Sequence, residues 1–559
     1  MEPVRTDTAD VVVIGSGAGG APVALTLAEA GARVVVLERG PYRTVRDFTH
    51  DEIALTLRDF WQPYPETDPH TVSRDDGKPS RKTRDGWTAH CVGGGTVHMA
   101  GFWFRFQETD LRLATRLGPV PDADLADWPI ALAELEPFYD LAEAKLGVSG
   151  VAGANPFEAP RRPYPLPPLP EHASAKLIDE AARSLGLHPF PTARAVLSAP
   201  YGGRPPCTEC GFCASYGCEN ASKSSVLATL VPAAEATGRC EIRPRCVATR
   251  ITVDDQGRAS GVEYVDAEGR EQRIGARVVC LAASAVESAR LLLLSANSRH
   301  PKGLANGSGL VGKNLAFSTY GHVIAVYDRA KVIEQLGGTN GMDLPFLQRS
   351  IQDEYWLQDP AVPSPKGGTY TFAVRQPGPI QAAVSMAQET NYSLWGPKLK
   401  EALKKRFQDE LVLEAEIFGE FLPWKGCFVD LDPDVKDVRG QQVARLHTRL
   451  HPVTDDTSKR MSTRALQILR AVRPAPTRSG ALDWSVPNFP LQSGTCRFGT
   501  DPARSVLGPD CQAHEVKNLY VTDSSFMPTS GGAPATPTIL ANSFRVAHGL
   551  RERFLRREI

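Results

Sequence analysis

Val11-Val12-Val13-Ile14-Gly15-Ser16-Gly17-Ala18-Gly19-Gly20 is a β-branched run that ends in a cluster of glycines. A short apolar run bounded by glycine predicts a buried strand. Ala21 to Ala30 then predicts a helix, and Arg33 to Leu37 a second strand that ends at Glu38. Strand, glycine turn, helix and strand make a βαβ unit, and the turn fits the spacing G-x-G-x-x-G. The first glycines permit a tight turn and close approach of a pyrophosphate. The start of the helix offers unpaired N–H groups to its oxygens, and Glu38 can accept from a ribose hydroxyl. In that context the loop predicts an adenine dinucleotide, but it does not by itself distinguish FAD from NAD.

Outward from this unit, the Pro-rich stretch from Pro156 to Pro170 excludes regular helix or sheet interior and predicts an extended surface connection. Glu241 to Val253 and Ala259 to Val265 read as hairpin strands around the turn Asp254 to Gly257, and Val278 to Ala282 as a further buried strand. From about Ser318 to Trp484 several β-rich runs, such as Gly321 to Tyr327, Thr369 to Val374 and Glu414 to Phe421, alternate with Pro and Gly. They predict a second domain on a mostly antiparallel sheet. Asn518 to Asp523 and Thr538 to Arg551 predict a strand and a helix that return to the first domain.

A chain of 559 residues exceeds the size of one hydrophobic core, so two domains are expected. Lys and Arg together number 63 and Asp and Glu 64, a balance that gives no electrostatic footprint for nucleic acid. The opening MEPVRTDTAD lacks a basic segment followed by an apolar run, and the later apolar segments are broken by glycine. No membrane span and a cytoplasmic location are expected.

Four separated segments, in order along the chain, resemble the glucose-methanol-choline family of flavoenzymes. The first is the loop above with Glu38. The second is Cys91-Val92-Gly93-Gly94-Gly95-Thr96-Val97-His98, similar to the segment that lies along the isoalloxazine. The third is Leu281-Ala282-Ala283-Ser284-Ala285, similar to the family's Leu-Ala-Ala-Gly-Ala turn. The fourth is Gly494-Thr495-Cys496-Arg497-Phe498-Gly499 with Asn518-Leu519-Tyr520-Val521-Thr522-Asp523-Ser524-Ser525-Phe526-Met527-Pro528. Asp127-Trp128-Pro129-Ile130, Glu136-Pro137-Phe138-Tyr139 and Leu146-Gly147-Val148-Ser149-Gly150 lean toward the sugar and polyol branch.

The resemblance implies FAD, an α/β fold with a Rossmann-like FAD-binding domain and an α+β substrate domain, and hydride transfer from a hydroxyl-bearing carbon to flavin N5. The FAD-binding domain would comprise residues 1–150, 206–317 with the Cys-rich loop, and 485–559. Residues 151–205 would form the Pro-rich connection and a helix, and 318–484 the substrate domain. The cofactor residues it implies are Gly15, Ser16, Gly17, Ala18, Gly20, Glu38, Arg39, Gly93, Gly94, Gly95, Thr96, His98, Val247, Ala283, Asp523, Ser524, Ala535 and Thr536.

Cys207, Cys210, Cys213 and Cys218 crowd one short loop with near-ferredoxin spacing. Three readings compete: an iron–sulfur cluster, which would imply a dehydrogenase with a protein electron acceptor; zinc; and buried thiols that pack the loop.

Alcohol oxidation needs a base for the hydroxyl proton. The family places a His four residues before the Thr of the Gly-Thr pair, and here that position is Leu491. Its second residue, a His or Asn, falls on Ala535 or Thr536. The neighbours Gln492 and Asn488 can hydrogen-bond but are not bases at neutral pH. A base from the substrate domain and chemistry that does not begin with an alcohol proton both stay open; His98 is one rescue candidate, with covalent flavin attachment, a flavin hydrogen bond and plain packing all open. His447 and His451 read as structural histidines.

The reading is thus an FAD-dependent dehydrogenase acting on a hydroxyl of a small-molecule sugar, polyol, glycoside or related natural product. The alternatives are a lyase, isomerase or decarboxylase of the same fold, and a non-catalytic electron-transfer subunit.

Overall fold

The computed structural model describes residues 6–57, 60–73, 80–359, 362, 364–375, 378–481 and 488–559. Their strands form two sheets. The first has seven strands. Its centre is the parallel set Cys240–Arg243, Val34–Leu37, Thr6–Ile14 and Glu271–Leu281, in that spatial order. The second half of Glu271–Leu281 also pairs in parallel with Leu519–Val521, and its first half carries the antiparallel strands Ala259–Val265 and Val247–Val253. Parallel strands are covered on both faces and read as continuous apolar runs, which is why Val11 to Ile14 and Val34 to Leu37 are almost fully buried.

The helix Ala21–Glu29 follows the first strand, with Ala30 as its C-cap. It packs beside the C-terminal helix Thr536–Leu555, so both ends of the chain close over one sheet. The expected hairpin arm from Glu241 to Val253 divides in two. Cys240–Arg243 joins the parallel set, then Pro244 and the left-handed Arg245 (φ 56°) redirect the chain into Val247–Val253.

The second sheet has eleven strands and is antiparallel except where Gln442–His447 meets His70–Ser73. Its backbone is the strand Lys313–Asp328, flanked by Glu410–Gly419 and then Gly368–Val374. Because side chains alternate across a strand, Leu411, Leu413, Ala415 and Ile417 enter one core. There they meet Val323, Ala325, Tyr370 and Phe372, under the helices Pro452–Ala471 and Ala175–Ser184. The intervening residues Glu414, Glu416 and Phe418 fall on the opposite face, and Glu416 and Phe418 there line a cavity shared with residues of the first sheet. No regular element lies between the helix Leu132–Leu146 and Ala175–Ser184, as the prolines require. Among the described residues no helix is long and apolar enough to cross a membrane.

Candidate active site

The glycine loop is held by side chains as well as by its turn. Gly15 has φ 96°, and a Cβ there would stand 2.3 Å from the carbonyl oxygen of Ala282. A Cβ on Gly20 would stand 1.9 Å from the Gly15 carbonyl oxygen, so the loop closes on itself at the start of the helix. Glu38 is buried, and its Oε2 accepts from the Ser16 amide at 3.0 Å and the Ser16 hydroxyl at 2.6 Å. Its Oε1 accepts from the Gly40 amide at 2.8 Å. Burial pushes this carboxyl up, while its donors favour the ionised form. A carboxylate with three donors keeps lone-pair capacity for one more.

The second glycine segment meets the first through Ser16, whose hydroxyl accepts from the Gly93 amide at 3.0 Å. Thr96 fastens the segment, donating to the Gly93 carbonyl at 2.7 Å and accepting from the Val226 amide at 3.1 Å. Asp523 ties in the C-terminal segment: its Oδ2 accepts from the Ser284 amide at 3.1 Å and the Ser288 hydroxyl at 2.5 Å, and its Oδ1 from the Ser525 amide at 2.8 Å.

These segments line one continuous cavity of about 430 Å³. Of the residues singled out in the sequence, Gly15, Ser16, Gly17, Ala18, Glu38, Arg39 and Val247 line one part of it. Gly94, Gly95, Thr96, His98, Ala283, Asp523, Ser524, Leu491, Gln492, Ala535 and Thr536 line the rest. Gly20 and Gly93 shape its walls from behind, where a Cβ on Gly93 would lie 2.7 Å from Leu227. The Asn488 side chain lies outside the described residues.

The polar candidates are already engaged. Gln492 is buried; its Oε1 accepts from the Val286 amide at 2.7 Å, and its Nε2 donates to the Gly86 carbonyl at 2.6 Å. Its amide therefore holds the helix Ala285–Leu294 in place. The His98 ring stacks on Trp61 with centroids 5.1 Å apart, and its Nε2 lies 3.0 Å from the Thr88 carbonyl oxygen. Burial lowers its pKa to about 4, so it is neutral, with Nε2 protonated to donate to that carbonyl. His447 stacks on Phe428 at 4.0 Å, and His451 caps the helix Pro452–Ala471 by accepting from the Val453 amide at 3.2 Å. Neither lines the cavity.

The four cysteines behave differently from the expectation of a cluster. All four thiols are free, and among the described residues no group of three or more His, Cys, Asp or Glu side chains is placed to hold a metal. The loop is fastened instead by the buried Lys223, whose ammonium donates to the carbonyls of Met99, Cys213 and Tyr216 at 3.1, 2.7 and 2.6 Å. Cys207 and Cys213 pack against Leu169, Val196 and Phe346. Burial pushes the Cys207 thiol up to about 12, so in this loop it is a protonated, packed side chain. The donor set does not fit an iron–sulfur cluster or zinc. The loop contributes Ala214 and Ser215 to the cavity instead.

Several lining residues carried no motif. Glu287 is pushed up by burial but pulled well below the usual carboxylate range by Arg290, His70 and Arg39, and it pairs with Arg39 at 3.0 Å. Glu416 and Phe418 reach the cavity from the second sheet. The alternation of Leu411, Leu413, Ala415 and Ile417 with Glu410, Glu414 and Glu416 was the available signal.

Ser284 stands where the resemblance has glycine, and its φ of 77° with ψ 162° is a conformation that L side chains rarely adopt. Ser284→Gly is expected to stabilise the protein by about 1 kcal/mol, read as a higher melting temperature with cofactor content unchanged. An equal or lower melting temperature would show that the surrounding hydrogen bonds remove the strain.

Comparison with known proteins agrees with this geometry. Models described as GMC oxidoreductase match residues 169–319 and 423–543, and one described as FAD binding domain matches residues 10–47. The chain is 31% identical to a 2-methyl-1,2-propanediol dehydrogenase of Mycolicibacterium austroafricanum, over 98% of this chain and 96% of that one. It is 29% identical to a gluconate 2-dehydrogenase flavoprotein of Pantoea cypripedii, over 98% and 94%. Its fold is similar to a solved formate oxidase of Aspergillus oryzae, with TM-score 0.66, 15% identity and 99% of each chain covered.

Proposed function

The chain belongs to the GMC oxidoreductase family and is an FAD-dependent oxidoreductase acting on CH–OH donors, and from that premise we propose that it is a dehydrogenase of polyols, sugars or related hydroxylated natural products. The observation that carries the proposal is the single cavity in which the glycine loop, the segment Gly94 to His98 and the C-terminal residues Ala535 and Thr536 meet Glu416, Phe418 and Leu491 of the second sheet. The relatives named for a vicinal diol and a sugar acid support a small, multiply hydroxylated substrate. A relative named as a dehydrogenase flavoprotein supports onward transfer of electrons to a protein acceptor.

In this reading the Gly15 to Gly20 turn and the start of the helix Ala21–Glu29 hold the pyrophosphate, and Glu38 and Arg39 flank the adenosine with Val247. Gly94 to Thr96, His98, Ala283, Asp523, Ser524, Ala535 and Thr536 surround the flavin end. Bound there, FAD supplies a two-electron acceptor for a hydride leaving a hydroxyl-bearing carbon. Leu491 and Phe418 present apolar walls that exclude water from the reacting carbon. Neutral His98 offers its unprotonated Nδ1 as an acceptor rather than a charge.

The purified protein is expected to be yellow and to release FAD on denaturation, and anaerobic addition of a 1,2-diol or sugar should bleach the flavin. A colourless protein that takes up no added FAD would overturn the cofactor assignment. A yellow protein bleached by no polyol or sugar would overturn the substrate class.

A further inference from the structure

Resting on this hydroxyl-oxidation reading, the second sheet supplies what the family positions at Leu491, Ala535 and Thr536 lack. Glu416 lies on the strand Glu410–Gly419 and is half-buried. Together with Phe418 it lines the cavity from that strand, beside Pro490, Leu491 and Gln492 of the strand Asn488–Thr495 in the same sheet. Its cross-strand partners are His322 on one side and Thr371 on the other. Residues directly opposite in an antiparallel pair share a face with Cβ atoms about 4.5–5.5 Å apart. Glu416 therefore stands between His322 and Thr371 on one face of the sheet, and it lines the cavity.

We propose that Glu416 is the base of this enzyme, taking the proton of the substrate hydroxyl as the carbon gives up its hydride. The O–H bond breaks and its proton passes to a Glu416 carboxylate oxygen. With FAD held by the lining residues, the C–H bond would break with its electron pair and the cofactor would supply the two-electron acceptor, so the alcohol would become a carbonyl and the electrons balance. Proton and hydride leave the substrate on separate paths, one to the protein and one to the cofactor.

The surroundings suit that task. Burial raises the Glu416 carboxyl, His322 lowers it, Glu414 raises it and Arg194 lowers it. A carboxylate above its ordinary range is a stronger base near neutral pH than a solvated one. His322 is fixed by Glu414, with Nε2 and Oε2 at 3.3 Å, and Glu414 is paired in turn with Arg375 at 3.2 Å. Behind the wall, Arg194 is buried, stacked on Phe102 at 4.4 Å and donating to the Ala100 carbonyl at 3.0 Å. His322 and Arg194 are positioning residues: each offers positive charge to the carboxylate, and neither lines the cavity.

The test compares wild type, E416Q and E416D as holoenzymes by stopped-flow flavin reduction, and follows the pH-difference absorption spectrum of the bound flavin without substrate. Loss of a general base is worth about 10²–10⁴-fold, so E416Q should reduce its flavin that much more slowly at equal FAD content. E416D, which keeps a carboxylate one methylene further away, should recover part of the rate. In the spectrum, a titration seen in wild type and E416D should vanish in E416Q, because the ionising group beside the flavin is gone. Equal reduction rates in wild type and E416Q, or a titration unchanged in E416Q, overturns the assignment and leaves the reaction class standing. A wild type reduced by no alcohol overturns the reaction class, and the assignment with it. If E416Q does not retain FAD, an E416D rate and titration equal to wild type in every respect overturns the assignment.

Discussion

Asp110→Asn is expected to cost about 3–5 kcal/mol, the usual penalty for leaving a buried charge without its partner. Asp110 and Lys366 are both fully buried, with Oδ1 and Nζ 2.7 Å apart. Oδ1 also accepts from the Gly532 amide at 3.1 Å, and Oδ2 from the Tyr355 hydroxyl at 2.6 Å and the Gln107 amide at 2.7 Å. An amide in this place would turn an NH₂ toward donors and take from the ammonium its paired carboxylate. Glu420, which burial raises to about 7 while Lys366 lowers it, grips the same loop, accepting from the amides of Ser530 at 2.9 Å and Gly531 at 3.1 Å. The loop from Thr529 leads directly to Ala535 and Thr536 in the cavity wall. The readout is amide hydrogen exchange at Gly531 and Gly532, which should rise by a hundredfold or more, since about 1.4 kcal/mol is tenfold. Lys366→Met should cost less than Asp110→Asn, because Asp110 then keeps three donors. The Asp110→Leu, Lys366→Met double variant should cost less than the two single losses added. Exchange in Asp110→Asn equal to that of wild type would mean that the pair does not anchor the loop.

What could be read in the sequence follows how local each feature is. The dinucleotide loop is a contiguous strand, turn and helix, so spacing alone defines it, and Glu38 follows at the end of the next strand. The division of Glu241 to Val253 was not legible, since Cys240–Arg243 is placed by pairing with Val34–Leu37, far earlier in the chain. The long helix Pro452–Ala471 hides in a segment dominated by β-rich runs, because its apolar face is narrow and punctuated by Ser and Thr. Cysteine spacing suggested metal ligation, yet the loop is organised by Lys223 and by packing, neither of which spacing encodes. Glu416 looked like one more acidic residue on an alternating strand. Its place in the cavity depends on strand register with His322 and Thr371, a long-range fact that no motif records.

The last expectation joins two lining positions of the cavity. Leu491 has no proton to exchange, and in the reading above it needs none, since Glu416 receives the hydroxyl proton from elsewhere in the cavity lining. Leu491→His alone should therefore give no large gain in the rate of flavin reduction by a polyol, because the base it adds duplicates one already present. In the E416Q background the same substitution meets a site without a base. An imidazole at Leu491 would line the same cavity and bring a group that can accept a proton to the wall where the leucine has none. The double variant is expected to recover a large part of the roughly 10²–10⁴-fold lost in E416Q, a strongly non-additive pair read by stopped-flow absorbance at matched FAD content. The pH dependence should change with it, since an imidazole titrates in place of a carboxyl. If Leu491→His alone accelerates wild type by a hundredfold or more, the wild-type proton has no competent acceptor. Leu491 is then a gap in the machinery, and Glu416 is not the base.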